Sequence, residues 1–113
     1  MPEQKPIYRP VTKELADKRR SLATDQAAAF KAFSQSVFAD GALPVKTKQL
    51  IAVAVAHVTQ CPYCIRGHAC AASQQGASEA EIMEAIWIAA EMRAGAAYAH
   101  SVLALDAIAP VAE

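Results

Sequence analysis

The stretch VKTKQLIAVAVAHVTQCPYCIRGH, residues 45–68, decides how this chain of 113 residues folds. It begins with lysines and becomes nearly all apolar up to residue 58, which favours a helix buried on most sides, although its Val and Ile residues keep a strand possible. Pro62 follows Cys61, and proline is favoured at the first helical position because its missing N–H would have no partner there. We therefore expect a new helix to begin at Cys61.

The helix predicted from Cys61 brings three reactive side chains to one face. At about 100° per residue, Cys61, Cys64 and His68 fall within an arc of roughly 60°. Cys70 falls on the opposite side, and we interpret it as a small buried hydrophobic residue. A thiol at a helix N-terminus faces unpaired N–H groups and the positive end of the helix dipole, which lower its pKa. This spacing indicates dithiol redox chemistry in which His68 accepts or returns a proton.

The rest of the chain predicts further helices with short connections and no convincing pair of strands. Periodic apolar positions, caps and glycine or proline breakers set their limits. The predicted helices are residues 12–20, 24–40, 45–58, 61–75, 78–95 and 96–109. Residues 1–11 carry three prolines and are expected to form an extended arm. The sequence thus predicts an all-α fold of five to six helices in a single domain, residues 1–113.

Local signals support several of these helices. Thr24 is a candidate N-cap, Gly76 suits a left-handed residue after a helix, and Ser78 with Glu81 matches a capping box. Trp87 is expected in the core or at an interface. The second helix also carries an apolar stripe at i, i+3 and i+7 that we expect to be buried, formed by Phe30, Phe33 and Val37.

Composition excludes several classes of function. The 11 basic and 11 acidic residues cancel, so nothing in the charge favours nucleic acid or an anionic membrane surface. The longest apolar run, residues 50–58, is about half of the roughly 20 residues that cross a bilayer. The start of the chain has no apolar core of a secretory signal, so we expect a cytoplasmic protein with reduced thiols. The 54% of hydrophobic residues in so short a chain predicts self-association.

A zinc site is the main alternative use of the cysteine segment. Cys61, Cys64 and His68 could supply three ligands, with a fourth from His57, His100 or water. Structural zinc sites usually combine two separated ligand pairs, and this chain has no second CxxC. We therefore expect no metal and no other cofactor, and we interpret His57 and His100 as core histidines with one ring nitrogen hydrogen-bonded.

Several spaced motifs, at residues 43–56, 61–68 and 76–78 and in the region 81–100, occur together in this order. They resemble the AhpD-like alkylhydroperoxidase branch of the carboxymuconolactone decarboxylase family over roughly residues 25–105. The resemblance implies an all-α homotrimer or homohexamer that reduces hydroperoxides through cysteines, without metal or haem. It also implies recharging by a dithiol such as dihydrolipoamide, or by another thiol reductant.

The chain departs from that branch at two positions. The family has a glutamate twelve residues before the first cysteine that joins a proton relay with the histidine, and here this position is Gln49. A glutamine can hydrogen-bond but cannot take a proton at neutral pH, so Gln49 is only a possible relay residue. Tyr63 stands where the best-known peroxidase of the family has a histidine. Glu84 and Glu91 are possible substitutes for the missing acid.

The expected reaction begins at Cys64. The resemblance and the one-turn spacing from His68 make Cys64 the attacking thiol, and Cys61 resolves the resulting sulfenic acid as a disulfide. Alternatively, Cys61 is the exposed sulfur that exchanges with a reductant. Two other functions stay open. One is decarboxylation of a carboxymuconolactone-type acid, which gives no reason for paired cysteines, and the other is a non-enzymatic redox sensor or zinc-stabilised oligomeric module.

Overall fold

A computed structural model of the chain describes residues 7–111, in which all regular structure is helical. Its elements are α1 (Lys13–Leu22), α2 (Thr24–Val37), α3 (Val45–Thr59), α4 (Pro62–Gln74) and α5 (Glu79–Ile108). No strand occurs within residues 7–111, and the all-α prediction is confirmed. Residues 1–6 of the predicted arm lie outside the described part, and residues 7–12 are non-helical and exposed.

The helices group into two compact units, one ending at Ala42 and the other beginning at Leu43. The first unit contains α1 and α2, and α1 begins after Thr12, whose hydroxyl accepts the N–H of Leu15 at 3.2 Å. Thr24 is the first residue of α2 and not its cap, because α1 extends to Leu22 and leaves only Ala23 between the two helices. The predicted Thr24 cap is therefore wrong, and the single-domain organisation of the whole chain stays a prediction.

The apolar stripe of α2 is exposed and not buried as predicted. Phe30 is 70% exposed, Phe33 63% and Val37 43%. The two phenyl rings lie side by side, with centroids 6.5 Å apart and planes inclined by 50°. The i, i+3 spacing does place these side chains on one edge of the helix. Periodicity selects a face, however, and cannot supply the surface that would cover it.

The second unit is built around α3, which packs against both α4 and α5. Val53 of α3 and Ala72 of α4 are fully buried, and the core is made mostly of small residues. Around these two residues pack Leu50, Ala69, Ile82 and Ile86. The prediction that α3 is buried on most sides is confirmed except along one stripe, where α4 and α5 leave Ile51, Val55 and Val58 about half exposed.

The predicted limits of α4 are confirmed. Cys61 is its N-cap and Pro62 its first residue, and Gly76 beyond its C-terminus has the left-handed φ of +91°. The capping box before α5 is also present. The Ser78 hydroxyl accepts the Glu81 N–H at 3.1 Å, and the Glu81 carboxylate accepts the Ser78 N–H at 2.9 Å.

The last helix, α5, runs through Gly95 without a break for 30 residues, so the predicted division at Gly95 is wrong. A single glycine costs a helix only about 1 kcal/mol relative to alanine, and the good helix formers on both sides offset this.

Trp87 is 68% exposed, which excludes a place in the core of this chain and leaves the predicted interface open. Within the described part, none of the helices is both long enough and apolar enough to cross a membrane.

Two glycines should respond in opposite ways to substitution by alanine. An added Cβ meets no atom within 4 Å at either Gly67 or Gly76, so only the backbone distinguishes them. Gly67→Ala, in the helical backbone of α4, should stabilise the fold by about 0.5–1 kcal/mol. Gly76→Ala should cost about 1 kcal/mol because its φ is left-handed. Urea unfolding followed by circular dichroism measures both, and an unchanged stability of Gly76→Ala would contradict the role given to its left-handed backbone.

Candidate functional site

The two cysteines of the CxxC segment lie at the first turn of α4. The sulfur of Cys61, the N-cap, accepts a hydrogen bond from the backbone N–H of Cys64 at 3.3 Å. It takes the place that a serine or threonine oxygen has in most helix caps. Cys61 is half-buried and Cys64 is exposed, and both are free thiols. Solvent therefore reaches the Cys64 sulfur, whereas the Cys61 sulfur is held at the start of α4 by its hydrogen bond.

Hydrogen bonding separates the acidities of the two thiols. The Cys64 thiol donates to the Cys61 sulfur, and this contact, with the backbone N–H groups of Cys64 and Tyr63, lowers the pKa of Cys61 against a smaller opposing effect of burial. The same contact raises the pKa of Cys64, and burial and the neighbouring Cys61 charge act in the same direction. The first proton that the pair loses therefore comes from Cys61.

His68 lies one turn after Cys64 on α4 and is held in place from α3. Its Nδ1 is 2.7 Å from Oε1 of Gln49, a side chain that is only 8% exposed. An amide oxygen can only accept, so Nδ1 carries the hydrogen and donates it to Gln49. In the neutral ring Nε2 then carries the lone pair. The structure thus brings Gln49 to His68, and Gln49 sets the tautomer of His68 without being able to take its proton.

The structure agrees with the prediction for His57 and contradicts the predictions for His100 and Cys70. His57 is half-buried and donates from Nδ1 to the Val53 carbonyl at 2.7 Å, in agreement with its interpretation as a histidine with one ring nitrogen hydrogen-bonded. His100 is exposed on α5, so its interpretation as a core residue is wrong. Cys70 is also exposed and not buried as predicted. It lies on a side of α4 that its packing partners α3 and α5 do not cover.

The zinc alternative gains no ligand set from the described residues. Nowhere in residues 7–111 do three or more His, Cys, Asp or Glu side chains come together in a way that could hold a metal ion. Glu84 and Glu91 are exposed on α5, and their proposed role as substitute acids stays a prediction.

Comparisons with known proteins show the family of the chain. A family model described as the carboxymuconolactone decarboxylase family matches residues 24–107. The chain belongs to that family. A Paracoccus denitrificans relative, described as uncharacterized protein 4 in cox locus, is 70% identical over 77 residues, which are 68% of this chain and 69% of the relative.

Solved structures show the same helical fold. A Methanobacterium thermoautotrophicum protein matches with a TM-score of 0.70 and 35% identity over 74% of this chain and 93% of that one. A Legionella pneumophila carboxymuconolactone decarboxylase family protein matches with a TM-score of 0.65 and 35% identity, over 68% of this chain and 69% of that one. A Thermotoga maritima member, for which a role in the antioxidative response has been suggested, matches with a TM-score of 0.56 and 35% identity, over 68% of this chain and 71% of that one. The family resemblance stated from the sequence is therefore confirmed.

In this family member, one contact near the dithiol was not predicted. Arg93 of α5 reaches the C-terminal end of α3, where its Nη1 donates to the Val58 carbonyl at 3.4 Å. Because 35 residues separate the two partners, no local sequence signal could have indicated the contact.

Cys61 should react faster than Cys64 with iodoacetamide below about pH 8, although Cys64 is more exposed. The lowered pKa of Cys61 leaves it a larger thiolate fraction as the pH falls, whereas the raised pKa of Cys64 keeps that thiol protonated. Tandem mass spectrometry of the peptide that contains both cysteines measures the two rates, and Cys70 provides an exposed reference thiol on the same helix.

Replacing Cys64 tests the cause of this difference. Cys64→Ala removes the thiol donor that lowers the pKa of Cys61 most, so alkylation of Cys61 should become slower at the same pH. Labelling of Cys64 ahead of Cys61 in the wild-type protein would contradict this order of the two acidities.

Proposed function

We propose that this protein is a peroxiredoxin-type alkylhydroperoxidase, a dithiol oxidoreductase that reduces hydroperoxides with Cys61 and Cys64 and moves protons through His68. The observation that carries the proposal is the Cys61 sulfur at the N-cap of α4, hydrogen-bonded by Cys64 and on the same helix as a histidine of fixed tautomer. Family membership and the antioxidative role suggested for the Thermotoga maritima relative support the same chemistry.

The proposed reaction has two steps. The Cys64 sulfur attacks the terminal oxygen of the hydroperoxide, a sulfur–oxygen bond forms, and the O–O bond breaks. The thiol proton passes by way of His68 to the departing alkoxide, which leaves as an alcohol, or as water when the substrate is hydrogen peroxide. The Cys61 thiolate then attacks the Cys64 sulfenic acid, the disulfide forms, and hydroxide takes up a proton and leaves as water. Two thiols are oxidised and one peroxide is reduced.

Exposure supports Cys64 as the sulfur that meets the peroxide, and acidity supports Cys61 in the resolving step. The exposed Cys64 can be reached by a peroxide and by an external thiol, whereas Cys61 is half-buried. This argues against the alternative in which Cys61 is the exposed, exchanging sulfur. The lowered pKa of Cys61 makes it the thiolate that is ready for the resolving step, and also the better leaving group when the disulfide is reopened.

We propose a thiol or dihydrolipoamide-type dithiol as the reductant. One of its thiolates attacks the Cys64 sulfur of the disulfide and releases Cys61 as a thiolate. The second thiol of a dithiol, or a second molecule of a monothiol, then attacks the reductant's sulfur in the mixed disulfide and releases Cys64 as a thiol, so the two electrons that were passed to the peroxide are replaced.

Self-association belongs to the same proposal, as a homotrimer or homohexamer. α5 leaves large apolar side chains exposed along its second half, including Tyr98, Leu103 and Ile108. Trp87 and Met92 are exposed on its first half. Apolar surface on this scale is typical of chains that cover it with another subunit.

Thiol titration tests the proposed function directly. Wild-type protein given one equivalent of hydroperoxide should lose two of its three free thiols, and Cys70→Ser should lose both of its two. Cys61→Ser should accumulate a sulfenic acid at Cys64 that dimedone traps for mass spectrometry. Unchanged thiol counts in the wild type would sink the peroxidase proposal, and a sulfenic acid found only at Cys61 of Cys64→Ser would reverse the two roles.

Gln49 should limit the rate of turnover. Gln49→Glu places a carboxylate that can take a proton at the Nδ1 of His68, so peroxide consumption with excess dithiothreitol should rise about tenfold. Gln49→Leu removes the acceptor that orients His68 and should lower the rate by about as much. Gln74→Glu, an exposed change of the same type on α4, is the matched control and should leave the rate unchanged. Equal rates in all four proteins would show that His68 moves no proton in the slow step.

A further inference from the structure

One carbonyl accepts both backbone hydrogen bonds that form the turn between α3 and α4. The backbone N–H groups of Gln60 and Cys61 both donate to the carbonyl of Ala56, the latter at 3.1 Å. Gln60 itself has left-handed backbone angles, φ 58° and ψ 45°, which cost a residue other than glycine about 1 kcal/mol. The conformation of this single residue sets the direction in which the chain enters α4 at Cys61.

Arg93 of α5 holds this turn from outside. With the Gln60 amide oxygen turned toward the guanidinium, the orientation that pairs acceptor with donors, it accepts from Nη1 at 2.7 Å and from Nη2 at 3.3 Å. Nη1 also donates to the Val58 carbonyl at 3.4 Å. The planar guanidinium thus binds the last turn of α3 and the Gln60 side chain at once, and we call this pair of contacts the clasp. A lysine ammonium on a flexible chain would not bind both in the same geometry.

The position of the clasp gives it a second favourable effect. The α3 helix ends at Thr59, so Arg93 places a positive charge beside the negative end of the α3 dipole. The left-handed backbone of Gln60 is therefore stabilised by a side-chain bond and by charge, and not by the glycine or asparagine that usually occupies such a position.

We propose that Arg93, acting through Gln60, is a positioning residue that fixes Cys61 at the N-cap of α4 and so maintains the hydrogen bond from the Cys64 N–H to the Cys61 sulfur. This inference rests on the proposed function, because the position of Cys61 matters for redox chemistry only if Cys61 and Cys64 are the reacting dithiol. Its physical content is the link between a contact on α5 and the reactivity of a thiol on α4.

A simple structural brace is the competing explanation, and the chain contains a matched control for it. Lys46 at the start of α3 forms an ion pair of 2.9 Å with Glu81 at the start of α5. This contact joins the same two helices as the Arg93 clasp, at the other end of α3 from the dithiol. Removing it should affect stability without moving Cys61.

The test compares Arg93→Ala, Arg93→Lys, Gln60→Ala and Lys46→Ala in a Cys70→Ser background. Alkylation of Cys61 by iodoacetamide is followed by tandem mass spectrometry near neutral pH and at alkaline pH, and urea unfolding gives the stability of each variant. Arg93→Ala and Gln60→Ala should slow the alkylation of Cys61 about threefold near neutral pH, because the thiolate fraction of Cys61 falls. The rate at alkaline pH should be unchanged, since the thiol is fully ionised there. Arg93→Lys should be intermediate, and Lys46→Ala should match the parent.

Two results would overturn the proposal: an unchanged Cys61 rate in both Arg93→Ala and Gln60→Ala, or an equal slowing in Lys46→Ala at the same loss of stability. If Arg93→Ala does not fold, Gln60→Gly decides the question, because glycine accepts the left-handed backbone but loses the side-chain bond. Slower labelling of its Cys61 supports the clasp, and an unchanged rate rejects it. A wild-type protein that consumes no peroxide would sink the proposed function while leaving this comparison of alkylation rates valid.

Discussion

The buried face of α3 is the constraint on which the rest of the site depends. Gln49, Val53 and Ala56 lie along it at intervals of one helical turn. Val53 packs in the core, Gln49 orients His68, and the Ala56 carbonyl closes the turn into Cys61. One helix face therefore fixes His68 and the start of the dithiol helix together, so a shift of α3 along its axis would disturb both.

The site uses backbone chemistry more than side-chain charge. Cys61 is made more acidic by a neighbouring thiol and by N–H groups at a helix start, with no cation among the causes of its lowered pKa. His68 is oriented by the neutral amide of Gln49. This arrangement makes Cys61 the more acidic thiol, and it hydrogen-bonds His68 to a side chain that cannot take a proton.

The candidate site could be predicted from the sequence to the extent that its signals are local. The dithiol, its place at a helix start and the histidine one turn later all follow from spacing within eight residues and from Pro62. The contact between Gln49 and His68 was anticipated as a relay position through the family resemblance, but its donor and acceptor roles required the packing of α3 on α4. Arg93 could not have been placed beside Gln60, because no periodicity links residues so far apart.

The sequence by itself determined the helices whose ends carry their own chemistry: the proline after Cys61, the left-handed Gly76, and the capping box of Ser78 and Glu81. Such signals act within one turn and do not depend on the rest of the chain. Only the tertiary structure decided that α5 continues through Gly95, that the α2 stripe and Cys70 are exposed, and that Gln49 accepts a hydrogen bond from His68. These depend on what packs against each surface, and burial and hydrogen bonding across helices are properties of the assembled fold.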